Sequence, residues 1–513
     1  MNIDFIIADR DTPFLFPPSV QEWLPKDHLA RFVVDMVSQL DLSSLRGTYT
    51  GKGSRAYDPT ILLSMLFYGY STGVFSSRKL EQASYDSVAF RYITGNQHPD
   101  HDTIATFRKR FSEELQGLFV QILTIAHEMG ILKLETVSLD GTKIKANASK
   151  HQALSWQYAC KIETQLKEEV KQLWLLADQA DQAIIPDGMK IPEELERREK
   201  RLATIAEAKK KIEARAAERY DQEKQTYENK LAEREKKAKE SGKKPGGKPP
   251  KPPEPGPKPH DQINLTDEES RIMPTSGGGF VQAFNAQACV DIATMLIVAV
   301  HTTQQPNDKQ QIETAIEALE KLPEKLGQVN EIIADTGYFS KANVDACEEA
   351  GINPLIAVGR DKHNQSLEVR FNKPAPVAED ADSVTKMKYR LKTPEGKAIY
   401  GQRKSTVEPV FGIIKSVLGY RQFKRRGLEN AHAEWTLISL AWNLKRMHVL
   451  AKPRIKMPVM AACKAKSGVQ GNQLSAFWRN MYQQWFSMTK MHIKREFDGW
   501  FAVSFSIVSP TGC

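Results

Sequence analysis

Apolar and polar positions change their spacing several times along the chain, and each change predicts a different element. Up to about residue 130 the apolar residues recur at helical spacing. Pro59, after Asp58 as a cap, opens the apolar run Ile61-Leu62-Leu63-Ser64-Met65-Leu66-Phe67-Tyr68. Ser77-Arg78-Lys79-Leu80-Glu81 begins a second helix, and Asp102 to Phe111 a third. Residues 135–145 then alternate as a strand, with Val137 and Leu139 on one face and Ile144 after a turn. Leu195, Leu202, Ile205 and Ile212 keep a sparse heptad-like spacing among Lys, Arg, Glu and Ala, which predicts long exposed helices in a coiled-coil hairpin. Eight prolines between Pro245 and Pro259 predict a stiff extended linker.

Beyond the linker, Phe280 to Val290 and Met295 to Thr303 read as strands joined by a tight turn at Asp291-Ile292-Ala293-Thr294. A helix from Asp308 to Leu322, a strand into Asp335, a helix from Lys341 to Glu349 and a strand from Pro354 to Val358 follow. Residues 364–399 are polar and read as irregular. Residues 404–419 and 430–450 read as helices, and Trp435, Leu437, Ile438, Leu440, Ala441 and Leu444 form the apolar side of the second. The organisation expected is a helical N-terminal domain over 1–130 and a mixed α/β domain over 131–450. The latter is interrupted by the helical insertion and linker of 150–265. A basic tail occupies 451–513.

Composition narrows the class. At 513 residues, 41% apolar and 26% charged, the chain can bury a full core. The net charge is +9, yet the residues from 400 onward carry eighteen Lys and Arg against five Asp and Glu. That excess points to an anionic partner, nucleic acid before membrane, although a solubilising surface would look the same. Five scattered cysteines with no CxxC pair argue against a zinc ribbon or a disulfide framework. No apolar run is long enough for a membrane helix and the N-terminus carries no signal pattern, so an intracellular, cytoplasmic location is expected.

The candidate chemistry lies in three acids. Asp140 sits in Thr-Val-Ser-Leu-Asp-Gly-Thr-Lys (136–143), Asp335 in Ile-Ile-Ala-Asp-Thr-Gly-Tyr (332–338), and Glu408 at the opening of a basic helix. Carboxylates on rigid elements suit hard cations, and phosphodiester chemistry uses two such ions about 3.5–4 Å apart. Each residue also has a plain reading. Asp140-Gly141 is a common hairpin turn signal. Asp335-Thr336-Gly337 could end a strand or be the Asp-Thr-Gly of an aspartic peptidase, and Glu408-Pro409 could be an acid favoured at a helix start. His98, His101 and His127 lack partners at ligand spacing, and Trp435 and Trp442 read as core rather than as stacking platforms.

Taken together, the order and context of these acids resemble the DDE transposases of bacterial insertion sequences. In that family the first Asp lies on an opening strand, the second in Ala-Asp-x-Gly-Tyr, here Ala334 to Tyr338, and a Glu on a late helix. The late motif is similar to Tyr400, Arg403, Glu408 and Lys415, with four residues rather than three between Arg and Glu. Asp267 to Met273 and Gly427-Leu428-Glu429-Asn430 extend the likeness, which spans roughly 50–450. The resemblance implies an RNase H-like mixed five-stranded sheet with flanking helices and an N-terminal helical domain that binds element ends.

It further implies cleavage of those ends and joining to target DNA by two-metal phosphoryl transfer. Asp140, Asp335 and Glu408 would be the catalytic, Mg²⁺-binding residues, with Mn²⁺ able to substitute. Tyr400, Arg403, Lys415 and the cluster Arg421, Lys424, Arg425 and Arg426 would contact DNA; Lys415, two helical turns beyond Glu408, would share its face. Partners would be double-stranded terminal inverted repeats and target DNA, bound by a homodimer associated with the bacterial nucleoid. The alternatives are an inactive DNA-binding derivative, a related metal-dependent nuclease and, from Asp-Thr-Gly alone, a peptidase.

Overall fold

The computed structural model describes residues 19–49, 56–179, 190–241, 248–275, 277–359, 376–378 and 381–451. The predicted basic tail, beyond residue 451, lies outside them. At the centre is one mixed sheet. Its first strand, β1 (Thr136–Lys145), is antiparallel to the long β5 (Phe280–Asp291), which in turn is antiparallel to β6 (Ile297–Thr303). On its other side β1 runs parallel to β7 (Glu331–Ala334), and β7 parallel to β8 (Asn353–Ile356). The order β6-β5-β1-β7-β8 is that of an RNase H-like core. Five strands were expected, and a sixth is present: β4 (Arg271–Pro274) pairs with the first residues of β5. It occupies the part of the β5 edge that the shorter β6 leaves uncovered.

Asp140-Gly141 is not a turn. Pairing with β5 continues unbroken through Asp140↔Ala288 and Gly141↔Gln287. A hairpin at that point would forfeit the ladder to a twelve-residue partner strand. The β5–β6 turn forms at the place expected, with Asp291 accepting from the backbone and hydroxyl of Thr294 at 2.8 and 2.5 Å.

Helices cover the sheet. Among the N-terminal ones, α1 (Leu29–Ser38), α3 (Pro59–Thr72) and α7 (Leu115–Glu128) pack against the last helix, here α15 (Leu428–Ala451). Asp58 caps α3 by accepting from Thr60 N at 2.9 Å, with Pro59 at the first position, as the sequence predicts. Along α15, Trp435, Ile438, Leu440, Ala441 and Leu444 are fully buried, and Trp435 and Trp442 donate to Gln287 O and Met295 O, each at 2.8 Å. Both indoles are core. One continuous apolar cluster joins the N-terminal helices, the sheet and α15.

Between β1 and β4 the chain leaves the sheet. A short ladder of β2 (Ala153–Ser155) on β3 (Gln262–Asn264) closes the base of the excursion. From it rise α8 (Trp156–Gln179) and α9 (Ile191–Ser241), the expected pair of long helices. They run antiparallel, because Glu169 pairs with Arg198 and Glu163 with Lys209, both at 2.7 Å. Their seam is thin: Ala159, Leu166, Ile205, Ala208 and Ile212 supply it with Leu154 and Ile263. The described part of the Pro-rich segment forms neither helix nor strand, and Arg219 donates to its Gly256 O at 3.1 Å.

The polar stretch read as irregular holds two helices in its described part, α12 (Ser383–Lys392) and α13 (Pro394–Gly401). They form without a continuous apolar stripe: Val384 and Met387, with partly buried Leu391, anchor the first, and Thr393 caps the second.

Candidate active site at the β1–β7 edge

The register between β1 and β7 matters most. Thr136↔Glu331, Val137↔Ile332 and Ser138↔Ile333 are paired in parallel. Carried two residues further, the same register sets Asp140 beside Asp335, just past the end of β7. Asp140 lies within its strand rather than at its end. Asp335 caps a short turn by accepting from Gly337 N at 2.8 Å. Burial lifts the Asp140 carboxyl to about 6, a backbone bond from Gly141 opposes this, and the negative charges of Asp335 and Asp308 add to it.

The third acid arrives from α14 (Arg403–Gly412), which packs on β1. Glu408 stands in the middle of this helix, not at its start, so the helix-start reading fails. Arg403 links the acids: its guanidinium reaches Asp140 Oδ2 at 3.4 Å and Glu408 Oε1 at 3.1 Å. The ring of Tyr400 is close by. Burial raises its hydroxyl, the Arg403 cation lowers it, and the Asp335 and Asp140 carboxylates raise it again.

Lys415 does not extend a regular helix from Glu408. Residues Ile413–Val417 form a π-turn, so the two side chains do not share one regular helical face. Even so, the Lys415 ammonium reaches the site's first strand, donating to Lys143 O at 2.9 Å. Burial and the cation of Lys143 depress it, against the pull of Asp140. The four residues of the basic cluster lie further along: Arg421, Lys424 and Arg426 are exposed and Arg425 is half-buried. Buried Glu434 holds that loop by accepting from Lys424 N at 2.7 Å and Tyr420 Oη at 3.2 Å.

One acid escaped the sequence reading. Asp308 follows β6 and accepts from the buried amides of Asn285 and Gln287, each at 2.7 Å, with Lys143 Nζ at 3.7 Å. The hydroxyl of Tyr338 donates to Gln287 Oε1, completing a polar network beneath Asp140. A Cβ on Gly141 would stand 2.1 Å from Gln287 Nε2 and 2.7 Å from Asp308 Oδ1, so only glycine fits this β1 position. The signal available was an acid a few residues beyond a strand end, the same context that singled out Asp335.

Oxygen-only donors and crowded negative charge fit a hard divalent cation in chemistry. Among the described residues, however, no three His, Cys, Asp or Glu side chains are arranged to hold a metal. The Arg403 guanidinium balances Asp140 and Glu408 instead. His98 stacks on Tyr85 at 3.8 Å, His101 pairs with Glu81 at 2.7 Å and His127 bonds to Leu132 O at 3.2 Å, so none joins the site.

The RNase H-like sheet thus carries Asp140 within β1 and Asp335 just past β7, with Glu408 on the late helix α14. Residues 254–444 match the family model of a transposase DDE domain, and residues 18–110 match that of a transposase domain known as DUF772. The two matches together place the chain among the insertion-sequence DDE transposases. Asp335 and Glu408 fall inside the first match and Asp140 before it. No curated protein and no solved structure matches the chain. No helix among the described residues is long and apolar enough to cross a membrane.

Proposed function

We propose that this transposase cleaves the ends of its element and joins them to target DNA, with Asp140, Asp335 and Glu408 as the catalytic carboxylates. The observation that carries this reading is the β1–β7 register, which sets Asp140 beside Asp335, together with the single arginine that ties Asp140 to Glu408. Magnesium, or manganese in its place, would supply activation of the attacking oxygen and charge neutralisation at the leaving one. Asp140 would hold it from within β1, Asp335 from just past the end of β7 and Glu408 from the helix, once Arg403 turns away from them.

The chain's own groups do the rest. Arg403, freed from the carboxylates, is in reach of a phosphate between α14 and β1. Tyr400 positions the backbone beside it. Lys415, fixed on Lys143 O, holds a positive charge against the strand bearing Asp140. Arg421, Lys424, Arg425 and Arg426 contact phosphates without reading bases. The helical region of 1–130 engages the element ends, and pairing of two ends calls for a homodimer at the bacterial nucleoid.

The test uses purified full-length protein and a labelled duplex carrying the element's terminal repeat. Asp140→Asn, Asp335→Asn and Glu408→Gln each abolish magnesium-dependent cleavage while end binding and the circular dichroism spectrum persist. Cleavage retained in one variant removes that residue from the site, and a parent chain that binds ends without cutting them is the inactive derivative.

A further inference from the structure

Away from the carboxylates, a cleft of about 880 Å³ opens between α9 and the β4–β5 edge of the sheet. Ile212 and Ala216 of α9 form one wall, and Ile272, Phe280 and Pro306 the other. Two of these are unusually bare for their size: Phe280 is 68% exposed and Ile272 37%. Three arginines, Arg215, Arg219 and Arg271, stand in the same cleft.

Their donors are not all used. Arg215 Nη1 and Arg219 Nε are buried with no hydrogen-bond partner. Arg215 donates through Nη2 to Glu268 O at 2.6 Å, a neutral carbonyl. Arg219 pairs through Nη1 with Asp261 at 2.7 Å, while its Nε is 3.9 Å from Glu223, too far for a hydrogen bond. The Glu268 carboxylate is held by Lys211 at 2.7 Å. Arg271 donates to the carbonyls of Glu268, Glu269 and Ser270 and to Gln304 Oε1, with no carboxylate among these partners. Burial and the nearby Arg215 cation lower Arg271 to about 10, against the opposing pull of the Glu269, Asp267 and Glu218 carboxylates.

The cleft is joined to the carboxylate site by one loop. Gln304 to Pro306 line it, and two residues on, Asp308 sits beside Asp140. Asn285 bridges the two, donating to Gln305 O at 3.2 Å and to Asp308 Oδ1 at 2.7 Å.

We infer that this cleft binds one nucleotide of a DNA strand leaving the carboxylate site, with its phosphate on Arg215 and Arg271 and its base against Phe280. The inference rests on the DNA-processing reading above. An apolar wall with an exposed ring answers a base, and unpaired buried guanidinium donors answer a phosphate. The long helical excursion then has a part in binding, since α9 supplies two of the three cations.

The experiment uses the full chain in EDTA, so that binding is read without cleavage. Fluorescence anisotropy of 5′-fluorescein dT20 is followed across a salt series for the parent, Phe280→Ala and Arg215→Gln. Phe280→Ala weakens binding roughly 5- to 150-fold with an unchanged salt slope, the range of one lost base–aromatic stack. Arg215→Gln lowers the slope by about 0.7, one phosphate contact on a single strand. Oligonucleotides with a single 5-iodouracil cross-link at Phe280 of the parent.

Phe280 is exposed, so its variant stays folded even where an arginine variant does not. If the parent binds dT20 but both variants match it in affinity and slope, the cleft assignment fails and the DNA reading stands. If the parent binds no DNA, both fail. If Phe280→Ala instead abolishes self-association in ultracentrifugation and leaves dT20 binding intact, the cleft belongs to a second copy and the inference is overturned.

Discussion

Replacing Asp140 by asparagine stabilises the metal-free fold while destroying the activity proposed for it. The carboxyl titrates near 3.8 when unfolded and near 6 when folded, driven first by burial and then by its acidic neighbours. Below about pH 4 it is protonated in both states and carries no penalty. Between about pH 4 and 6 the unfolded chain gives up its proton first, so stability falls as pH rises. Above pH 6 the ionised form is penalised in full, by roughly 3 kcal/mol for a shift of this size. The group is 18% exposed, so solvent screens little of this.

Asp140→Asn removes the penalty and leaves Arg403 its second partner, Glu408, at 3.1 Å. Urea or thermal unfolding in EDTA therefore shows the variant more stable than the parent at pH 8, by up to about 3 kcal/mol, and equal to it near pH 4. Millimolar magnesium then raises the parent's midpoint at pH 8 and not the variant's, because binding to the folded state alone stabilises it. A variant less stable than the parent at pH 8 in EDTA would mean that Asp140 is a satisfied structural acid, and the reasoning would fail.

Further outcomes follow from the same contacts. Gly141→Ala drives a methyl into Gln287 and Asp308 and costs about 3 kcal/mol from overpacking and a broken charged hydrogen bond, read as a lower unfolding midpoint. Glu434→Leu leaves the amides of Lys424 and Arg425 without their acceptor, costs about 2–4 kcal/mol, and speeds amide exchange there. Leu166→Asp places a charge in the thin α8–α9 seam, so limited proteolysis cuts within 156–241 while the sheet domain stays resistant. Arg403→Gln removes the cation between Asp140 and Glu408, so the magnesium concentration needed for half-maximal thermal stabilisation falls.

Much of this molecule was legible in its residues. Alternation over Val137, Leu139 and Ile144 gave a strand, the heptad spacing of Leu202, Ile205 and Ile212 gave a long helix, and Asp58-Pro59 marked a helix start. These are local preferences, decided by backbone sterics and by which face each residue turns to the core, so one sequence carries them. The order of Asp140, Asp335 and Glu408 along the chain carried the resemblance to transposases. Local cues also misled: Asp-Gly reads as a turn until a long partner strand holds it extended. Glu-Pro likewise reads as a helix start although the helix begins five residues earlier.

What the sequence could not decide is which side chains from distant segments meet. Asp308 joins the carboxylate cluster only because buried Asn285 and Gln287, on β5, present two amide donors to one place. The π-turn at Ile413–Val417 turns Lys415 toward β1, and Arg403 finds Asp140, 263 positions away in sequence, across the face of a sheet. The cleft of Arg215 and Phe280 likewise exists only once α9 folds back over the sheet edge. Periodicity records how a residue relates to its neighbours in the chain; electrostatics and close packing act through space, and there the tertiary fold alone sets the distances.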